Sequence, residues 1–269
     1  MDHPLVSCIV PVFNGERYLA EALDSILAQQ YEALEIIVAD DGSTDATAAI
    51  ARSYGDRVRV LQQPNAGAPA ARNLGLQAAR GELIAFLDSD DLWHREKLAR
   101  QTARFGARPE LEVSVTHVQS FWIPELREEA ERFRDHPLSQ PQPGYVTITM
   151  LARRAVFERV GGFNTGLSVG DPMEWFVRAA ERGTVMELLP DTLAYRRLHQ
   201  HNLSWESGAS RRMTAAMQEA VLRVVKESLD RRREAGAAVQ RYDFPDAVHD
   251  AARGTARRHG NGTSGNEDR

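Results

Sequence analysis

Cysteine is almost missing: Cys8 is the only one in 269 residues, so no disulfide can form within the chain. It stands inside the apolar run Val6–Val12, which marks a buried structural thiol rather than a nucleophile. Long apolar runs are missing too, and nothing approaches the roughly eighteen residues that a membrane-spanning helix needs. The start, Met1-Asp2-His3-Pro4, has no basic region before a long apolar one, so no secretory leader is expected. Neither charge sign dominates. Thirty-three basic against thirty-eight acidic residues leave a formal charge of −5, which offers no chain-wide attraction to DNA, RNA or an anionic membrane. No Gly-x-Gly-x-x-Gly or Gly-x4-Gly-Lys-Ser/Thr loop follows any predicted strand, which argues against dehydrogenases and P-loop enzymes. These absences lead to the expectation of a soluble, cytoplasmic protein, at most peripheral to a membrane.

What is present is an ordinary globular composition, 42% hydrophobic and 26% charged, and a repeated pattern of apolar runs that end in acids. Leu83–Leu87 reads as a buried parallel strand, and it runs directly into Asp88-Ser89-Asp90-Asp91. Carboxylates crowded at a strand end repel one another and are costly to desolvate, so they need a helix cap, basic partners or a cation. Ligands of α/β sheets sit outside the carboxyl ends of the strands, where Asp88 and Asp90 fall. The residues by themselves therefore suggest a divalent-metal site that receives a phosphorylated substrate.

The rest of the chain alternates strands and helices about every thirty residues, the sign of a parallel, right-handed α/β sheet. Leu5–Val12 is a predicted strand. A helix follows with Tyr18, Leu19, Ala22, Leu23, Ile26 and Leu27 on one face and Asn14 as its cap. Leu34–Ala39 is the second strand, and Ser43 or Thr44 can cap the helix after it. Val58–Leu61 is the third strand and Gly67–Ala79 a short helix. His94–Phe105 is helical, with Asp91 as its expected cap, and Asp45 is read as a charge in a helix's first turn. Glu112–Val118 is a strand. Ser120–Gly144 is an excursion, helical over Glu125–Phe133 and looped from His136 onward, either a flap over the acceptor or a surface insertion. Tyr145–Ala152 is expected as strand, Arg153–Val160 and Pro172–Arg182 as helices, and Val185–Tyr195 as a strand broken at Pro190-Asp191. Gly208–Arg233 is a predicted long helix that packs on the body through Met213, Met217, Val221 and Val224, and the tail from Gly254 is expected to be disordered.

Three loops, Asp40-Asp41-Gly42-Ser43-Thr44-Asp45, Asn65-Ala66-Gly67 and Asp88-Ser89-Asp90-Asp91, follow successive strands and so share one sheet edge. Together with Pro11-Val12-Phe13-Asn14 and Ala71-Arg72-Asn73 with Gly75, their order and spacing resemble the family 2 glycosyltransferases of GT-A fold. The resemblance covers roughly residues 4 to 205. It implies a mostly parallel nucleotide-binding sheet with flanking helices and a smaller acceptor-side region, to which the chain adds a C-terminal helix. The corresponding division is a catalytic domain over 1–205, with a nucleotide-sugar half at 1–118 and an acceptor half at 119–205, a helical extension over 206–253 and a tail over 254–269.

The resemblance also implies an activity: metal-dependent, inverting transfer of a sugar from a nucleotide sugar, most often UDP-linked, to an acceptor hydroxyl. Carried over by motif, Pro11, Val12, Phe13, Asn14, Asp40, Asp41, Asn65, Arg72, Asp88 and Ser89 would hold the nucleotide sugar. Asp40 and Arg72 would then lie at the base and Asp88 at the ribose, while Asp90 would hold Mn²⁺ or Mg²⁺ against the diphosphate. A carboxylate that accepts the imide N–H of uracil rejects bases that lack it. Asp90 offers hard oxygen to a hard cation.

Departures from the family pattern lie in the acceptor half. In Gly170-Asp171-Pro172-Met173-Glu174 and on to Arg178, Pro172 occupies the position usual for the catalytic Asp. Asp171, Glu174 or no base at all are the alternatives. Arg196-Arg197-Leu198-His199-Gln200-His201-Asn202 also resembles the family, and His199 can ligate the metal, touch diphosphate or order a loop. Trp175 and Trp205 can stack on a sugar or fill a core. The acceptor is open among polysaccharide, lipid-linked sugar, small metabolite and peptide. Two rival readings are a non-catalytic nucleotide-sugar-binding pseudoenzyme and a sugar-phosphate nucleotidyltransferase, although the latter wants a Gly-rich basic loop after the first strand.

Overall fold

The computed structural model describes residues 3–135, 139–167, 170–200 and 202. Its first part is built from β1 (Val6–Val12), α1 (Leu19–Leu27), β2 (Leu34–Asp40), α2 (Thr47–Ser53), β3 (Arg59–Gln62), α3 (Ala68–Ala78) and β4 (Leu83–Phe86). β5 (Leu92–Trp93), α4 (Lys97–Ala107), β6 (Val113–Trp122), α5 (Arg127–Arg132) and β7 (Gln142–Pro143) follow, then β8 (Leu151–Arg153), α6 (Arg154–Val160), α7 (Asp171–Glu181) and β9 (Met186–Leu198). The strands form one sheet in the order β3-β2-β1-β4-β8-β6-β9-β5, with β7 on the flank of β6. The β1–β2, β2–β3, β1–β4 and β6–β9 pairs are parallel, while β8, β5 and β7 run antiparallel to their neighbours.

The chain winds from β1 outward to β3 and returns to place β4 on the other side of β1, so the strand order reverses between β1 and β4. A crevice forms outside the strand ends at such a reversal. Pro11 helps to open it. β1 and β4 pair from Val6↔Leu83 to Ile9↔Phe86, and the N–H of Leu87 still reaches the carbonyl of Ile9. Pro11 has no N–H with which to continue on that side. On its other edge β1 stays paired with β2 as far as Val12↔Asp40.

The first four strands, the early helices and the glycine-bounded α6 agree with the sequence expectations. Several elements differ, each for a local reason. Asn14 does not cap α1: its backbone has a φ of 50°, and its side-chain oxygen accepts the N–H of Thr44 instead. Neither Ser43 nor Thr44 caps α2. Ser43 Oγ accepts the N–H of Asn14, and Asp45 accepts the N–H of Thr47. Tyr145–Ala152 is strand only at its end, because the Thr149 hydroxyl donates to the Val146 carbonyl and closes a turn over Thr147–Thr149. β9 is not broken at Pro190-Asp191. The register passes from Thr116↔Leu189 to His117↔Thr192, so Pro190 and Asp191 are accommodated in a bulge. The elements expected over 206–253 and 254–269, and the loop residues 136–138, lie outside the described residues.

The core lies on both faces of the sheet. One cluster includes Val6, Cys8, Val10, Leu19, Leu23, Ile26, Leu83, Ala85, Leu87 and Trp93. Cys8 is fully buried, and burial pushes its thiol up to about 12, as expected of a structural cysteine.

Candidate functional site

The loops after β1 and β2 are stitched into one wall. Asn14 and Ser43 or Thr44 exchange the bonds described above, Gly15 donates its N–H to Thr47 Oγ1 at 2.8 Å, and Ala46 donates to Glu16 Oε2 at 3.0 Å. Gly42 has a φ of 82°, and a Cβ there would lie 3.0 Å from the backbone nitrogen of Asn65. A glycine is therefore required for the second and third loops to approach so closely.

Asp40 and Asp41, the first two of the three acids over 40–45, are both buried, and their partners differ. Asp40 accepts the Ser43 N–H at 2.9 Å and the Gln62 side-chain amide at 2.8 Å. Asp41 accepts the amide of Gln63 and the N–H groups of Ala66 and Gly67 at 2.7, 2.9 and 2.8 Å. Asp41 thus sets the course of the Asn65-Ala66-Gly67 loop. Above them Phe13 is 50% exposed, the one large exposed hydrophobic side chain among the described residues.

Asp88, Ser89 and Asp90 leave β4 at the crevice, each partly exposed. Asp90 Oδ2 is 2.9 Å from His199 Nε2 and accepts the Asn202 amide at 3.1 Å. Asn202 in turn accepts the N–H of His199 at 2.6 Å and donates to the Arg197 carbonyl at 3.1 Å. Arg197 binds the Asp90 carbonyl and Glu21, and it stacks over Tyr18 and Phe121. Asp91 does not cap α4. β5 intervenes and pairs with β9, which carries Asp91 to the N–H of Arg197 at 2.8 Å. Burial, reinforced by the Asp90 and Asp88 charges, holds the Asp91 carboxyl well above the usual carboxylate range.

A further acid, Asp171, enters at the head of α7. Arg72, on α3, is buried and spreads its guanidinium between two carboxylates, reaching Asp88 Oδ1 at 2.8 Å and Asp171 Oδ2 at 2.7 Å. Asp171 is 3% exposed. Burial raises its pKa, Arg72 pulls it back and Asp88 pushes it up again. Glu174, one turn on, is turned away to Arg178, which it binds through both oxygens at 2.7 and 2.8 Å. Arg178 also donates to the carbonyls of Val160 and Gly162, so this pair fastens α7 to the end of α6. Trp175 is fully buried against Phe157 and belongs to the core. Trp205 lies outside the described residues.

Sequence reasoning named most of this set but did not single out Asn202, Arg197 or Tyr18. Asn202 was legible only as part of a motif, since nothing local says that an amide will span Asp90 and His199. Among the described residues no group of three or more His, Cys, Asp or Glu is gathered for a metal, and no helix is long and apolar enough to cross a membrane.

Comparison with known proteins agrees with this geometry. The profile of Glycosyl transferase family 2 matches residues 7–164. An uncharacterized glycosyltransferase of Rickettsia typhi is 47% identical over 98 residues, 36% of this chain and 31% of that protein. Glycosyltransferase GlyA of Streptococcus pneumoniae is 38% identical over 119 residues, 43% of this chain and 17% of that protein. The chain thus spans less than a third of the length of either relative. Among solved structures, S. aureus TarS 1-349 in complex with UDP-GlcNAc superimposes with a TM-score of 0.64 at 21% identity, over 85% of this chain and 72% of that one. The mannosyltransferase PcManGT of Pyrobaculum calidifontis, in complex with GDP-Man and Mn²⁺, gives 0.59 at 20% identity, over 97% and 82%. At such identities these two establish a shared fold. With the match over residues 7–164 and the acid-lined crevice at the β1–β4 reversal, the chain belongs to glycosyl transferase family 2 and has its GT-A fold.

Proposed function

We propose that the chain transfers a sugar from a nucleotide sugar, UDP-linked, to an acceptor hydroxyl with inversion at the anomeric carbon. The observation that carries this reading is convergence. Arg72 meets Asp171 across 99 positions of sequence, and Asp90 meets His199 across 109, beside the end of β4, where the strand order reverses.

In this reading Pro11, Val12, Phe13, Asn14, Asp40, Asp41, Asn65 and Ser89 form the nucleotide wall, and the exposed ring of Phe13 offers a face for the base. Asp88 spends Oδ1 on Arg72 and keeps an oxygen for a ribose hydroxyl. Asp90 and His199 supply a hard oxygen and an imidazole nitrogen 2.9 Å apart, a donor pair that suits Mn²⁺ or Mg²⁺. Asp90 and His199 would hold the cation from the protein side. The chemistry it would supply when bound is charge stabilisation of the departing diphosphate.

Asp171 serves as the base. As the acceptor oxygen bonds to the anomeric carbon and the bond to the diphosphate oxygen breaks, the hydroxyl proton passes to the Asp171 carboxylate. A base works best with its pKa near the working pH, and burial moves Asp171 in that direction. Glu174, held by Arg178, fits a structural role better.

One observation favours a second reading, nucleotide-sugar binding without transfer: Pro172, at the position usual for the base in this family, has no proton to exchange. Nucleotide release from a panel of nucleotide sugars, with Mn²⁺ or with chelator and across a panel of acceptors, decides between the two. Metal-dependent release of UDP supports transfer, whereas donor binding without turnover on any acceptor supports the second reading.

A further inference from the structure

The motif Ala71-Arg72-Asn73 lies on α3, and each of its two polar residues grips the acceptor side. Asn73 donates to the Phe163 carbonyl at 2.8 Å and accepts the Phe163 N–H at 2.8 Å. That two-way bond fixes α3 against the segment that leads toward α7. Arg72 then reaches past Phe163, its guanidinium 5.8 Å from the ring centre, and divides its two terminal nitrogens between Asp88 and Asp171. Only Nε is left buried without a partner. Asp88 has a side chain 36% exposed and Asp171 one that is 5% exposed, so one arm of the fork ends on a partly exposed carboxylate and the other on a nearly buried one.

We propose that Arg72 is a positioning residue that joins the donor-side acid Asp88 to Asp171 and holds Asp171 oriented and ionised for proton transfer. The proposal rests on the reading of Asp171 as the base. The physical reason lies in charge and geometry together. Two carboxylates that share one guanidinium are fixed in mutual register, because a planar fork presents its donors at set angles. Without the cation they would face each other across a dry gap, and the more buried one would take up a proton. The charged groups that face Asp171 are Arg72 from α3 and Asp88 from the loop after β4, while Glu174 and Arg178 on its own helix are paired with each other. The exposed end of the fork also makes Asp171 responsive to the donor site. Whatever changes the charge or hydrogen bonding of Asp88 alters its share of Arg72.

The test uses the full chain labelled with ¹³C at the aspartate carboxyl carbons, with the Asp171 resonance assigned through Asp171→Asn. In Arg72→Gln the Asp171 titration should move up by about one pH unit or more, the range typical of losing an adjacent cation. In Arg72→Lys, which keeps charge without the fork, it should move less. Asp88→Asn guards against misfolding of the Arg72 variants, because Asp88 lies at the partly exposed end. There the Asp171 titration should move down, since a like charge is gone and Arg72 is freed. Where turnover is measurable, kcat should fall roughly 10- to 100-fold in Arg72→Gln, with the acid limb of its pH profile displaced in the same direction as the resonance. An Asp171 titration that stays put in folded Arg72→Gln, or rises in Asp88→Asn, overturns the proposal. Calorimetry with UDP and Mn²⁺ separates the two layers: absent binding sinks the nucleotide-sugar reading and leaves the Arg72 titrations standing.

Discussion

Two acids three residues apart at the head of α7 are separated by their partners. Asp171 turns inward to Arg72, whereas Glu174 turns along the helix to Arg178. Asp171→Asn is expected to lower turnover by 100-fold or more, the order of a lost general base, with donor affinity kept. Glu174→Gln should leave donor affinity near wild type and lower the melting temperature, because Arg178 loses a charged partner at the α6–α7 joint. Steady-state kinetics beside a thermal melt distinguishes them, and a selective kcat loss in Glu174→Gln would assign the base to Glu174. Lys97 is a different residue-scale case. It is fully buried beneath the sheet, where its ammonium donates to Gln101 at 2.7 Å and lies over the Trp93 ring, and burial brings its pKa down to about 7. Above that pH the unfolded chain holds a proton that the folded chain has released, so stability rises with pH, by about 1.4 kcal/mol per unit, until the ordinary lysine value is reached. Lys97→Met should flatten the rise of urea-unfolding free energy between pH 7 and about pH 8. An unchanged slope would show that Lys97 is charged in the fold.

At the scale of elements, α3 has the most to position. It carries Arg72 and Asn73 toward Asp171 and Phe163, and it packs on β1 so closely that a Cβ at Gly75 would lie 2.4 Å from Ile9 Cγ2. Helix propensity alone favours Gly75→Ala by roughly 1 kcal/mol. Overpacking against the central strand is expected to outweigh it, for a net loss of about 1–2 kcal/mol in chemical denaturation. A gain in stability would mean that α3 can lift from the sheet without cost. The bulge in β9 works in the same register of geometry. It absorbs Pro190 and Asp191 and lets the strand continue to Arg197 and Leu198, from which His199 and Asn202 reach Asp90. The sequence reads as a strand broken at Pro190-Asp191, because a proline's missing donor is visible locally and a bulge's accommodation is not. Asp91 teaches the same lesson. As a residue before a helical run it reads as a cap, and only the pairing of β5 with β9 shows that its partner is a backbone N–H 106 positions away.

Across the whole molecule, binding at the crevice should appear as stability, since a ligand that prefers the folded state raises the unfolding free energy. UDP with Mn²⁺, each well above its dissociation constant, is expected to raise the melting temperature. Asp90→Ala should abolish the manganese-dependent part of that rise and, with it, metal-dependent turnover. A full shift in Asp90→Ala, or turnover undiminished by chelation, would remove Asp90 from the metal site.

By itself the sequence determined the parallel α/β core, the acid loops at the strand ends and the family, because apolar runs, glycines and strand-end carboxylates are local signals with few compatible structures. Tertiary structure alone decided which partners each acid meets. Burial and partner choice separate Asp171 from Glu174, Asp91 from Asp90 and the wall-building Asp41 from the crevice-facing Asp88. The partners that make the difference lie 4 positions away for Glu174 and Arg178 but 106 for Asp91 and Arg197, and one-dimensional spacing carries no record of which side chain a guanidinium or an amide will meet.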